Sequence, residues 1–364
     1  MIFSIKDSLR QAVEAASGGL NTVLYTKKGQ PIFARVIPKF RVETLHSSLG
    51  SGVHPAFIVG GREVPEILIG MYPSHIANGE AVSVPGVPPS VTDFNTWVPA
   101  TRNIGPGFHL LTNAEWAAMA LLSIYAIGNG NDPVSGPDAY GRDRTNPALF
   151  GRRSDRKVPG DTSSISFMIT GSGPLSWRHD RSPFGIADVS LGISPGYLVA
   201  GLALVNGEIR IIPNNDAALP NVDLSPSGPA WRAIMPDGSL VAPGTAGTLK
   251  YDIPPAASYS DNGVADNLGT PTLRTQVRSA PASWGDGDHD FAYSTGSINL
   301  DPSNLTVPPI LRALALIPLT SNATINVRPY GTRLAGRGHL GVGSVWLQIN
   351  PSYPQPAYVA YVPI

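Results

Sequence analysis

The strongest constraint on this chain is a single helix signature, GPGFHLLTNAEWAAMALLSIYAIGNGN at 105–131, set in a sequence that Gly and Pro otherwise cut into short pieces. Thr112 and Glu115 have the spacing of a capping box, in which each side chain satisfies a free backbone N–H at the helix start. Leu111 and Trp116 occupy the two positions of a hydrophobic staple. Ala, Met and Leu then favour the helix, and Gly128 ends it. Thr112, Glu115 and Trp116 are therefore read as a structural motif: Glu115 caps, Trp116 packs, and little of the helix is left for recognition.

The rest of the chain reads as short elements between long loops, in keeping with 39 Gly and 36 Pro. Residues 4–17 predict a short amphipathic helix capped by Ser4, with Ile5, Leu9 and Val13 on one face and Gly18-Gly19 as its stop. A hairpin follows around Lys27-Lys28-Gly29-Gln30. Residues 1–40 are thus either an anchoring or trimer-forming element or a first layer of the main core. VHPAFIVGG and EILIGMY, within 53–72, predict strands, and residues 129–175 predict a long ordered loop region. Asn206-Gly207 marks a type I′ hairpin between apolar runs. Further strands are expected within 238–254 and 344–364, and a short helix at 309–317. The sum is an α+β chain with one or two helices and no fixed-period repeat. Loops this long in a compact domain usually carry function.

Charge narrows the partners. Lys and Arg together number 26, as do Asp and Glu, which argues against nucleic acid or an anionic membrane as the main partner. Only 14% of residues are charged while 42% are hydrophobic, so the surface leans on neutral polar groups and suits a chain docked in an assembly. With no Cys, disulfides, thiolate metal sites and a cysteine nucleophile are excluded. The start, MIFSIKDSLRQ, lacks a cationic region followed by an apolar one, so no signal peptide is expected. No apolar run approaches the roughly 20 residues of a membrane span, and neither membrane insertion nor nucleic-acid binding is expected.

PGFHLLTNAEWAAMAL, GSGPLSWRHDRSPFGIADVS, NGEIRIIPNND and GSLVAPGTAGTLKYD, in that order, resemble a group of tailed-bacteriophage virion proteins. These carry a C-type-lectin-like domain of the formylglycine-generating-enzyme (sulfatase-modifying factor) type. AVEAASGGLNTVLYTKKGQPIFARVIPKF and GVHPAFIVGGREVPEILIGMY extend the resemblance over nearly the whole chain. It implies a C-type-lectin-like fold over 41–364, preceded by the 1–40 element, and a location in the virion after synthesis in the host cytoplasm. The sequence departs from the enzymes of that type. They use paired active-site cysteines and copper, and this chain has no Cys. After PFGIADVS the usual G-N-V-W-E-W run is replaced by LGISPGYLVAG. Arg337-Gly338 keeps part of an R-G-G-x-W pattern, but His339 follows it, and the final strand lacks the usual F-R ending.

Few residues suggest chemistry. His109, His179 and Asp180 lie in GFHLL and WRHD without a nucleophile or converging ligands nearby in sequence. Asp286, Asp288 and Asp290, with His289, form the densest acidic cluster and are candidates for a structural Ca²⁺; an Asp/Gly-rich turn is the competing reading. PNNDAALPNVD at 213–223 invites the same two readings. GRDRTNPALFGRRSDRK at 141–157 is locally basic but nearly lacks aromatic platforms for bases, which suggests a solvated loop or an Arg-rich subunit contact. The scattered carboxylates do not suggest the paired acids of a glycosidase. Trp346, Gln348, Asn350, Tyr353, Tyr358 and Tyr361 supply the aromatic and amide palette of a recognition surface, with core or subunit interface as the alternative for some of them.

No catalytic residue is assigned, and the expected role is non-enzymatic. The first expectation is a tail-fibre or receptor-binding component that contacts a host cell-surface receptor or glycan. The second is a capsid decoration or head-fibre protein. Other virion proteins and a homotrimeric self-association are the expected partners.

Overall fold

The run YLVAGLALV carries no polar residue because the strand that it forms, Tyr197–Val205, is covered on both faces. Tyr197, Val199, Leu202 and Leu204 belong to one hydrophobic core, while Leu198, Ala200 and Ala203 belong to a second. Side-chain alternation therefore changes parity between Ala200 and Leu202. Gly201 makes that change: its φ is +78°, and a Cβ there would lie 2.8 Å from the Cβ of Ala217. A glycine bulge is the residue type that satisfies both conditions. The adjacent strand Thr332–Arg337 shows the same irregularity, pairing Leu334 with Ala203 but Gly336 with Leu198.

This computed structural model describes residues 7–193, 196–254, 269–277, 294–300, 305–321, 323–329 and 331–363. They form an α+β protein in which strands outnumber helices. The larger sheet has eleven strands among the described residues. Its middle runs Val345–Ile349, Thr332–Arg337, Tyr197–Val205, Glu208–Ile211 and Lys250–Asp252, all antiparallel neighbours. Asn206 and Gly207, with φ of 47° and 80°, form the tight turn between Val205 and Glu208, as the Asn-Gly dipeptide predicts.

The smaller sheet has five strands in the order Asn21–Tyr25, Pro31–Pro38, Glu66–Gly70, Val359–Tyr361 and Phe108–Leu110. Hairpin 21–38 is a layer of this sheet, and it sends Ile32 and Ile37 into the two different cores.

Four α-helices occur among the described residues. Helix α1 is Ser8–Ser17, shorter than the expected 4–17. Its cap is Asp7, whose carboxylate accepts from the Arg10 N–H at 2.9 Å; Ser4 lies outside the described residues. Helix α2, Phe94–Arg102, was not anticipated, because Pro99 sits inside it and proline removes an intrahelical hydrogen bond. An Asp93 cap on the Thr96 N–H and burial of Phe94 and Trp97 in the second core sustain it. Helix α3, Asn113–Leu121, has the expected capping box, and all nine residues are buried. It widens into a π turn at Leu122–Ile127, closed by Gly128 donating to the Ser123 carbonyl at 2.9 Å. Helix α4 is Pro309–Ala313, the first part of the predicted 309–317 segment.

VHPAFIVGG differs from the expected strand. Pro55–Phe57 is a 3-10 turn capped by the His54 ring, and only Ile58–Val59 pairs, with Arg62–Glu63 across Gly60-Gly61. Proline at 55 removes a ladder donor, which favours the turn.

Candidate functional site

The capping box of α3 is the centre of a buried polar network. Glu115 accepts from the Thr112 N–H at 3.0 Å, and Thr112 Oγ1 accepts from the Glu115 N–H at 3.1 Å. The Glu115 carboxylate also meets His109 Nε2 at 2.9 Å and the Asn215 amide at 3.0 Å. Asn215 Oδ1 accepts from the Thr112 hydroxyl at 2.6 Å, and its amide reaches the Ala56 carbonyl at 3.1 Å. His109 Nδ1 lies 2.9 Å from the Gly107 carbonyl, so both ring nitrogens face acceptors. All four side chains are buried. The network joins α3, the strand before it and the 213–223 loop, and its polar groups are spent on one another.

Asn113 extends the network to Arg337, which is 0% exposed. The guanidinium donates to Asn113 Oδ1 at 2.5 and 3.0 Å, to Leu314 O at 3.1 Å and to Ala315 O at 2.6 Å. Burial pulls its pKa down to about 9. Gly338 beside it has φ +75°, and a Cβ there would lie 2.5 Å from the Val189 carbonyl. The surviving Arg-Gly pair therefore has a packing reason independent of any ligand.

WRHD is likewise structural in its contacts. Trp177 Nε1 donates to Asp143 at 2.6 Å, Arg178 to the Gly185 carbonyl at 2.7 Å, and His179 Nδ1 accepts from the Ile186 N–H at 2.8 Å. Asp180 pairs with Arg35 at 3.2 Å. Burial lowers His179 to about 4, and does the same to His54 and His339, so none of the three is poised for proton exchange near neutrality.

The six C-terminal side chains do not form one surface. Trp346 is 9% exposed and packs edge-on to His339. Tyr358 is 1% exposed, its ring lies tilted at 4.7 Å from that of Tyr197, and its hydroxyl donates to the Ala187 carbonyl. These two are core residues, a correction with a simple cause: Val345–Ile349 is covered on both faces except at Gln348, and residues 355–360 are all buried. Gln348 and Asn350 are half-buried, and so is Tyr361, whose ring lies 4.9 Å from that of Phe108. Tyr353, at 55%, is exposed. It sits on a turn in which Asn350 Oδ1 accepts from the Ser352 hydroxyl at 3.0 Å and the Asn350 carbonyl from the Tyr353 N–H at 2.8 Å.

Beside this turn an open groove of about 520 Å³ is lined by Phe94, Val98, Pro99, Leu224, Leu334 and Pro351, together with Arg102 and Asp223. Arg102 donates to the Leu219 and Val222 carbonyls, which fixes the guanidinium at the groove. Sequence reading missed this site with α2 itself. An Asp93 cap three residues before Thr96 was the available signal, and Pro99 obscured it.

Asp286, Asp288 and Asp290 lie outside the described residues. In the 213–223 loop, Asp216 accepts from the Gly60 N–H at 2.7 Å and ties the loop to the Gly60-Gly61 hairpin, while Asp223 accepts from the Ser225 N–H at 2.8 Å within a turn. Among the described residues no group of three His, Asp or Glu side chains converges as a metal site. No helix there is long and apolar enough to cross a membrane.

The basic 141–157 segment is wired from within. Asp143 accepts from Trp177, from Ser135 and from the N–H groups of Thr145 and Asn146. Burial alone would raise this carboxyl, but the hydrogen bonds outweigh it and hold it well below the usual range. Arg153 grips Asp155 through two bonds of 2.6 and 2.9 Å and also reaches the Ser164 carbonyl.

Compared with known proteins, the chain matches no family model and no curated sequence.

Proposed function

We propose that this chain is a structural and binding protein of a tailed-bacteriophage particle, carried on a C-type-lectin-like fold of the formylglycine-generating-enzyme type. The supporting observation is a division of labour among its polar residues. The side chains with acid–base potential in the motifs, His109, Glu115, His179 and Asp180, are engaged in contacts that are buried for the first three and half-buried for Asp180. The open groove is mainly apolar and adjoins an exposed tyrosine on a hydrogen-bonded turn. Such a site suits recognition by shape and apolar contact, with Arg102 and Asp223 as orienting groups.

Host adhesion is the first reading, with the groove and Tyr353 as the ligand contact. The test is Tyr353→Ala and Val98→Asp in particles, scored for incorporation and for adsorption to host cells. Normal incorporation with adsorption reduced about thirty-fold supports adhesion, as expected for a contact worth about 2 kcal/mol. Unchanged adsorption of both variants rejects it. Capsid decoration is the second reading, and the exposed apolar side chains Phe150, Val158 and Ile165 favour it. Imaging particles with this protein labelled separates tail from head. No label on the particle rejects both readings.

A further inference from the structure

Exposed large apolar side chains concentrate in one segment. Phe150 is 56% exposed, Val158 75% and Ile165 63%, with Leu149 and Leu175 at 40% and 48% nearby in sequence. They stand on one small substructure. Phe150 bridges to Arg142, and the Arg142 side chain donates to the carbonyl of Pro159, next to Val158. Lys157 Nζ reaches the hydroxyls of Ser163 and Ser164, next to Ile165. Asp143 and Arg153 fix the backbone beneath. The apolar groups are therefore held outward by a network whose own polar atoms are satisfied, which is costly in water and suits a docking surface.

Charge specifies the partner. Residues 138–161 contain six cations and four carboxylates. The carboxylates are each engaged locally: Asp143 is buried, Asp155 is paired with Arg153 at the surface, and the half-buried Asp138 and Asp161 accept from the backbone of Tyr140 and Arg142 and from Ser163. Arg142, Arg152, Arg156 and Lys157 are exposed among the apolar groups. A two-fold contact between copies would oppose this patch to itself, cation against cation. We infer that the 142–165 surface docks onto an acidic, apolar face of a different protein. The inference deepens the virion reading by supplying a partner chemistry, and its test requires no particle.

The probe is a pair of synthetic amphipathic peptides of equal length, one alternating Glu with Leu and Phe, the other alternating Lys with the same residues. Binding to the full chain is measured at low and at high salt. The acidic peptide is expected to bind at least about tenfold more tightly, to weaken with salt, and to lose about tenfold on Val158→Ser with Ile165→Ser. Arg152→Glu with Lys157→Glu is a second variant with the same expected loss and no buried atom changed. Equal binding of the two peptides overturns the inference, as does binding that both double variants retain. Self-association that the variants abolish would assign the surface to a second copy, and preferential binding of phosphatidylglycerol vesicles would assign it to lipid; either replaces the proposal.

Discussion

The network at the start of α3 and the network within residues 137–170 use the same chemistry under different covers. Around Glu115, every member is buried and apolar cores lie on all sides, so an unmet hydrogen bond has no water to turn to. Around Asp143 and Arg153, the polar centre is equally buried, but its outer layer is Phe150, Val158 and Ile165 facing solvent. The first network fixes which fold forms. The second fixes the shape of a loop whose apolar layer is left open. Burial of a polar centre therefore says little about role until the layer above it is known.

The largest expected effect comes from the first network. Glu115→Ala leaves His109, Asn215 and the Thr112 N–H without their shared acceptor. We expect a loss of about 3–5 kcal/mol, since several buried donors are left unsatisfied at about 1–3 kcal/mol each, in one cooperative transition by denaturant unfolding. A second, separate transition confined to α3 would break the comparison, because it would make this network local too.

Asp188 lies where the two regions meet. Its carbonyl accepts from the Tyr197 hydroxyl in the core, while its carboxylate accepts from the Gly171 N–H at the loop. It sits at φ 59°, and burial raises its pKa to about 6. A raised carboxyl stabilises the fold fully only below its unfolded value, near 3.8, and that contribution is lost as pH rises through 6. Asp188→Asn should therefore stabilise at pH 7 by about 3 kcal/mol at most, since asparagine tolerates the left-handed region. Thermal melts from pH 4 to 7 should also show a flatter profile for the variant. A variant equally destabilised at every pH would refute this assignment.

Asp143→Ala should cost less, about 2 kcal/mol, and should act locally. Hydrogen exchange is expected to quicken across 137–170 while α3 keeps its protection. The depressed Asp143 carboxyl stabilises above its unfolded value, near 3.8, and that contribution is lost as pH falls below it, so acid should free the loop before the core. Simultaneous loss of protection in α3 would merge the two networks into one.

How legible these regions were in sequence follows from how local their determinants are. The capping box and the Asn206-Gly207 turn involve residues one to three apart, and each was readable. Asn215 and Arg337 reach their partners across 100 and 224 residues, a separation no spacing rule spans. Trp346 and Tyr358 read as a recognition palette because composition does not say that the closing segments are covered on both faces. Helix α2 was hidden because Pro99 argues against a helix that tertiary burial of Trp97 nevertheless sustains. The exposed layer at Phe150, Val158 and Ile165 left no trace in the pattern, since apolar residues in a loop are ordinarily expected to turn in.

The smallest expected effect is the one that most sharpens the comparison. Val158→Ser removes an apolar side chain that is 75% exposed, so little buried area is lost and stability should stay within about 0.5 kcal/mol of the parent. The same change at a core position, Val199→Ser, creates a cavity and strands a hydroxyl between strands, and should cost well over 2 kcal/mol. What Val158→Ser should alter is the behaviour of the surface. Less exposed apolar area predicts earlier elution from a hydrophobic-interaction column and a higher salting-out threshold, with an unchanged melting curve. A fall in melting temperature would mean that Val158 packs in the folded state. The loop would then have a closed layer like that over Glu115, and the two networks would differ in position alone.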